Sequence, residues 1–455
     1  MPGTETGPVR TSALWNTLFA TTCRPTRSHQ TRPGAWHLGV YVRDLSDSHG
    51  RYRWVVLAAG TVAQASFSAS SVGLPALSPT LKSEYGLSLT EIGVVLGAIG
   101  IGMLFTLLPW GLVADRIDER WVIATGLTGA AALLGVASTT QGFATVTAAL
   151  VGVGALGASV NAASGRAIMA WFPSTALGLA LGIRQTAIPI GGAVGAAVLP
   201  AIGSAGGTHA AFLFLGAACL TGAIVAALFI RGTAGGVEKE LGDVVQPLRD
   251  PFMWLLGTGT GLFLLAQIGI TGFVVLFLHE HRGLSKEAAG AVLAAIYVLA
   301  VAARIGSGTI SDRLGSRLGP LRAIGTALAL LTACVAAAVD APLALLVPLF
   351  VVAGVLSMSW NGLAYAAAAE VAGSARTGAA LGFQQTLLGV VVAGAPPAVA
   401  AVAAHSWRLA FFLAAAGPAV GVVILRALRE PATGRRRART RGTSASLPAA
   451  RRTPD

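Results

Sequence analysis

From Trp54 to Leu425 long apolar runs recur, each closed by a short charged or Gly/Pro-rich break. A hydrocarbon core of about 30 Å takes about 20 helical residues, and a segment in lipid must satisfy its own backbone amides. Each run is long enough to predict a membrane-spanning helix, over residues 54–79, 91–113, 121–139, 142–170, 175–201 and 208–231. A polar stretch, G-G-V-E-K-E-L-G-D-V-V-Q-P-L-R-D, then precedes six more, over 252–279, 287–310, 320–339, 342–370, 375–402 and 406–427. The expected fold is an all-α integral membrane protein of twelve spans in two six-helix bundles, residues 54–231 and 252–427, joined by a linker at 232–251. Residues 1–53 and 428–455 read as disordered basic tails, because their polar, Arg-rich composition contains no run long enough to span.

The loops orient the spans. Breaks after even-numbered spans hold Arg116, Arg120, Arg166, Arg231, Lys239, Arg249, Arg313, Arg317, Arg322 and Arg376, whereas breaks after odd-numbered spans hold only Lys82, Arg282, Lys286 and Arg408. Cytoplasmic loops are the ones enriched in Lys and Arg, so both termini are expected in the cytoplasm and the chain in the cell membrane.

Composition agrees. The 455 residues are 54% hydrophobic and 11% charged, with a mean hydropathy of +0.71. A soluble chain carries roughly 25% charged residues to face water on every side. The formal net charge of +13 does not describe a nucleic-acid groove, because 16 of the 32 Lys and Arg residues lie in residues 1–53 and 426–455 and the body between is nearly balanced. Three scattered cysteines exclude a disulfide framework or zinc cluster, and no cofactor or metal is expected.

The two halves repeat one another. Y-G-L-S-L-T-E-I-G-V-V-L-G-A-I from Tyr85 aligns with R-G-L-S-K-E-A-A-G-A-V-L-A-A-I from Arg282 at an offset of 197. G-L-V-A-D-R-I-D-E-R from Gly111 matches G-T-I-S-D-R-L-G-S-R from Gly308 at the same offset. G-L-A-L-G-I-R-Q-T from Gly178 aligns with G-A-A-L-G-F-Q-Q-T from Gly378 at an offset of 200, the spacing of Asn161 and Asn361 as well. Six spans per repeat insert both copies the same way, so the repeats are related by an axis along the membrane normal, with a substrate site at mid-depth between them.

Gly111, Asp115, Arg116 and Arg120, repeated as Gly308, Asp312, Arg313, Gly315 and Arg317, resemble the G-x-x-x-D-R-x-G-R signature of the major facilitator superfamily of secondary transporters, over about residues 54–427. Asp118 stands where the family has glycine, and Arg120 lies one position late. The resemblance implies alternating access. These residues then form a conformational latch, the glycines allowing close helix approach and the aspartates capping a helix or pairing with arginines; an orientation-setting charged loop is the simpler reading. Arg166 on span 4, and Glu370 and Arg376 flanking the end of span 10, are expected in the same latch.

Ionisable groups inside a span are functional candidates. Arg184 lies nine residues into span 5, about 13 Å along a helix rising about 1.5 Å per residue, and no carboxylate shares its depth. It suits an anionic substrate or a helix-packing partner. Gln185 follows it, and the duplicate carries Gln384 and Gln385. Asn161, Asn361 and Gln64 lie at similar depth, and Trp360 and Tyr365 could stack on or hydrogen-bond a small ligand; interhelical bonding is the alternative for each. Arg304, four residues before Gly308, is similar in spacing to a carboxylate-contacting arginine of monocarboxylate transporters, but it could also snorkel or pair with Asp312.

The expected function is therefore transport of a small solute, an organic or inorganic anion such as a monocarboxylate. A proton-coupled exporter of drug-like amphiphilic compounds is the alternative, since P-I-G-G-A-V-G from Pro189 resembles the fifth-helix motif of drug/proton antiporters, with Ala187-Ile188 where its glycine belongs. A Gly/Pro-softened, closely packed helix explains that stretch equally. Glu91, Asp340 and Glu370 lie only at span ends, so a coupling proton would ride on the substrate or on one of these, or the gradient alone drives transport. His279, Glu280 and His281 place two imidazoles two residues apart, facing away from each other on a helix, so no enzyme is expected. The expected partners are a small molecule and the bilayer, and the chain is expected to act as a monomer.

Overall fold

The computed structural model describes residues 35–172, 174–231, 249–373 and 376–429. The remaining parts of both tails and of the linker lie outside these. Residues 1–51 and 52–455 are separate units, and apart from the first residues of α1 everything below belongs to the second.

Among the described residues the fold is all helix. In chain order the helices are α1 Ala35–Ser71, α2 Ser78–Tyr85, α3 Leu89–Ala114, α4 Glu119–Thr139, α5 Phe143–Trp171, α6 Ser174–Phe229, α7 Pro251–Gly261, α8 Phe263–Thr271, α9 Val274–Glu280, α10 Lys286–Leu314, α11 Leu318–Ala337, α12 Leu343–Ser357, α13 Asn361–Ala372, α14 Thr377–Ala403 and α15 Trp407–Arg426. Helix α1 begins inside the stretch expected as tail.

Eleven helical segments are long and apolar enough to cross a membrane. One of them, Leu179–Phe229, has 51 residues, and α6 breaks at Gly207 (φ 68°, ψ −166°), a conformation that glycine adopts without steric cost. Its two limbs are each longer than the roughly 20 residues one pass needs. Counted separately, they bring the passes to the twelve expected.

Local chemistry sets several boundaries. Ser88 and Glu91 form a reciprocal capping box at the start of α3, Ser285 caps α10, and Gly315 (φ 60°) ends α10 in the left-handed region. Asp118, the departure from the family glycine, accepts a bond from the Arg120 amide at 3.0 Å and so caps α4. Three expected spans are interrupted: the first by a short 3-10 turn at Leu74–Leu77, the seventh at Leu262 and Gly272–Phe273, the tenth at Met358–Trp360. Pro75 and Pro79 explain the first break, since each lacks the amide that a continuous helix would use.

Glycines report how the halves meet. On α3, Gly93, Gly97 and Gly100 leave no room for a Cβ against Val392, Ala393, Pro396, Pro397 and Ala400 of α14; on α10, Gly290 sits likewise on Ala196 and Pro200 of α6. Toward their other ends the same helices carry glycines that face open space, with nothing packed within 4 Å of a Cβ built at Gly111, Gly182, Gly306, Gly308 or Gly382. A wedge thus opens on the face that carries the breaks after even-numbered spans, called here the basic face, and closes on the opposite face. The closed side is pinned by Lys82–Glu280 (2.6 Å), Ser204 donating to Glu287 (2.7 Å), Lys286 donating to Thr80 (3.3 Å) and the Tyr297 hydroxyl on the Val72 carbonyl (2.8 Å).

The contrast predicts paired outcomes on one helix. Gly102 on α3 abuts the Val151 carbonyl and the Ala155 amide of α5, so Gly102→Val should cost about 1–3 kcal/mol through overpacking, visible as a lowered thermal midpoint in detergent. Gly111→Val, facing open space, should melt with wild type.

Candidate functional site

At mid-length of the helices two arginines meet from opposite halves. Arg184 on α6 is 7% exposed. Its Nε donates to Ser164 Oγ on α5 (2.8 Å), and its Nη2 donates to Gln64 Oε1 on α1 (3.1 Å) and to the Asn161 carbonyl (3.2 Å). Ser164 follows Asn161 by three residues and so shares its helix face. Gln64 is itself held by Ser68, with Nε2 reaching that hydroxyl at 3.5 Å.

Arg304 on α10 neither snorkels nor pairs with Asp312. Its Nε donates to the Met358 carbonyl (2.8 Å), Nη1 to the Gln185 carbonyl (2.8 Å) and Nη2 to Asn361 Oδ1 (3.1 Å). The break between α12 and α13 makes this possible. It releases the Met358 and Ser359 carbonyls from helix bonding, and Arg304 takes the first while Ser307, one turn on, donates to the second at 2.7 Å. The Gln185 bond crosses from one half of the chain to the other.

Tyr365 interacts electrostatically with both arginines. Its hydroxyl donates to Gln385 Oε1 at 3.0 Å and lies beside the Gln185 side chain. The Asn161 side chain is half-buried and makes none of these bonds. Two candidates fall elsewhere. Trp360 and Gln384 are both 0% exposed, Trp360 packs edge-on against Phe263 (5.7 Å between centroids), and among the described residues neither its Nε1 nor either amide atom of Gln384 has a hydrogen-bond partner. They lie in the second-half core, off the open surface. Ser164, Ser307 and the Met358 and Gln185 carbonyls are additions that residue type alone does not announce; a three-residue step along the helix face from Asn161 and from Arg304 reaches the two serines.

The expected latch residues divide into two local networks on the basic face. Asp115 pairs with Arg166, which also meets Glu119 at 3.6 Å, and Arg120 pairs with Asp118 (3.3 Å) while lying over Trp121. In the second half Arg317 bridges Asp312 (2.6 Å) and Glu370 (2.8 Å) and donates to Ser311. Each of these contacts stays within its own half. Arg116 and Arg313 are exposed, Arg376 precedes α14, and Gly111 and Gly308 face open space and so support no close helix approach here.

The span-end carboxylates are engaged: Glu91 in its capping box, Asp340 with Arg408 (2.8 Å) and His281 (3.7 Å), Glu370 with Arg317. His279 Nδ1 meets the Leu284 carbonyl and Glu280 holds Lys82, so the H-E-H stretch forms a turn and part of the seal on the opposite face. No group of three metal-ligating side chains occurs among the described residues. The P-I-G-G-A-V-G stretch is a packing device: Gly191 and Gly195 admit α1, and Gly192 admits the Tyr297 ring.

Comparison with known proteins places this geometry in context. The model of the Major Facilitator Superfamily matches residues 57–396. An uncharacterized MFS-type transporter of Mycobacterium tuberculosis strain H37Rv is 30% identical over 351 residues, covering 76% of this chain and 78% of that one. A probable sulfoacetate transporter of Cupriavidus necator is 26% identical over 281 residues, 55% of this chain and 63% of its own length. Among solved structures, a bacterial homolog of the human lysosomal transporter Spinster, in an inward-facing occupied conformation, superposes with a TM-score of 0.67 at 16% identity, over 82% of this chain and 96% of that one, and shares the fold.

Proposed function

The chain belongs to the major facilitator superfamily and is a multi-pass membrane transporter of a small solute, not an enzyme; from that premise we propose that the solute is a small anion, a carboxylate or sulfonate being the group that fits. The observation that carries this is the pair Arg184, buried, and Arg304, half-buried, both held inside helices with a hydroxyl, amides and carbonyls as hydrogen-bond partners and no carboxylate among them. A charge in low dielectric without a counter-ion is costly, and a ligand of opposite sign removes that cost. The relative named for sulfoacetate, an organic anion, supports the same class.

Alternating access supplies the mechanism. The two six-helix halves, residues 54–231 and 252–427, pivot about the arginine pair, and this conformation opens the site to the basic face while the glycine contacts close the other. The Lys and Arg bias of its loops assigns the basic face to the cytoplasm of the cell membrane. Glu91, Asp340 and Glu370 each hold a partner, so a proton that couples transport would travel on the substrate.

The test is uptake by proteoliposomes of radiolabelled acetate, lactate, malonate and sulfoacetate against glycerol and choline, with and without a pH gradient. Saturable accumulation of one or more anions, absent from protein-free liposomes, is expected. Preferential uptake of glycerol or choline would overturn the anion assignment.

A further inference from the structure

We propose that the substrate carries two anionic groups on a short spacer, one held by Arg184 and the other by Arg304; this rests on the anion reading above.

The hydrogen-bond count leads there. A guanidinium has five N–H donors. Arg184 spends one on Ser164 through Nε and two on Gln64 and Asn161 through Nη2, which leaves both hydrogens of Nη1. Arg304 spends one each from Nε, Nη1 and Nη2 on Met358, Gln185 and Asn361, which leaves one on each terminal nitrogen. Each arginine is therefore anchored three times and keeps two N–H groups, which suits one carboxylate or sulfonate apiece.

Charge points the same way. All six anchoring partners are neutral, so they fix the guanidiniums without compensating either charge. A monoanion would neutralise one arginine and leave the other uncompensated in the same low-dielectric site, whereas a dianion neutralises both. The spacer must be short, since Arg304 Nη1 bonds the carbonyl of the residue next to Arg184 and Tyr365 lies within electrostatic reach of both.

The duplication excludes a second pair. The counterpart of Arg184 is Gln384, fully buried, and the residue 197 before Arg304 is Leu107. Each half thus brings one charge from a non-equivalent position, and a two-headed ligand is what engages both halves at once.

The experiment is titration of the purified full chain in detergent, by ligand-induced shift of its thermal midpoint, with probes paired so that the members differ by one anionic group: acetate against malonate, butyrate against succinate, methanesulfonate against sulfoacetate, with sulfate as a dianion on a single centre. In wild type the dianion of at least one pair is expected to bind about tenfold or more tightly than its monoanion, the scale of one charge-assisted contact. Arg304→Gln should reduce that ratio to near one, while Arg304→Lys keeps part of it. Equal affinity within every pair, or sulfate binding more tightly than every organic dianion, overturns the two-group assignment and leaves the anion reading standing. Stabilisation by no anion of the panel overturns both. The wild-type ratios decide even where Arg304→Gln does not fold.

Discussion

Arg184→Gln is expected to lower the initial rate of anion uptake by about two orders of magnitude at subsaturating substrate, the effect of losing charge-assisted bonds of roughly 1.5–3 kcal/mol from a buried site. The substitution is suited to separating charge from folding. Glutamine at this place in the repeat is already tolerated by the fold, because Gln384 occupies the equivalent position in the second half, fully buried. In Arg184→Gln the new amide could still donate to Ser164 or Gln64, which now hold the guanidinium. The thermal midpoint should therefore move much less than the transport rate does. Arg184→Lys should fall between the two, since an ammonium keeps the charge but cannot reach three partners in a fixed plane. Initial rates across a range of substrate concentrations would show the loss chiefly in apparent affinity. Uptake by Arg184→Gln at the wild-type rate would mean that the residue serves only to join α1, α5 and α6.

What could be read from the chain follows from which properties are local. Hydropathy located the eleven apolar helical segments, because lipid imposes a length and a composition that no tertiary contact can relax. The interruption at Met358–Trp360 was not legible. It contains neither proline nor glycine, and two side chains from another helix, Arg304 and Ser307, take up the carbonyls that it frees. The depth of Arg184 was legible from its place in an apolar run; its cage of Gln64, Ser164 and Asn161 required knowing which helix faces meet. Gln384 shows the limit of reasoning by duplication. Its sequence counterpart bonds Ser164, but 200 residues later that serine is Ala364, so the duplicate glutamine lacks that hydroxyl and its amide has no hydrogen-bond partner among the described residues. The glycines of the basic-face motif were legible as small residues, but a small residue allows close approach and separation alike, and only the conformation selects between them.

The wedge itself leads to the second large effect. If solute reaches the arginines from both sides, the opposite face has to part, and a covalent tether across it should stop transport altogether. Lys82 and Glu280 are suited to carry one, because they meet across the halves with about a third or less of each side chain exposed. In a background with Cys23 and Cys334 replaced by serine, Lys82→Cys with Glu280→Cys should transport at close to the wild-type rate before treatment, since a surface ion pair contributes only about 0–1 kcal/mol. After reaction with a short bismaleimide, uptake should drop to that of protein-free liposomes, while either single-cysteine variant treated in the same way stays active. The size of the difference follows from what closes this face. Gly93, Gly97, Gly100 and Gly290 bring whole helices into contact there, and rocking must separate those surfaces as bodies, so one tether arrests all of them. Full transport by the tethered protein would mean that solute leaves without parting Lys82 from Glu280, and the pivot would have to lie on that face instead of at the arginine pair.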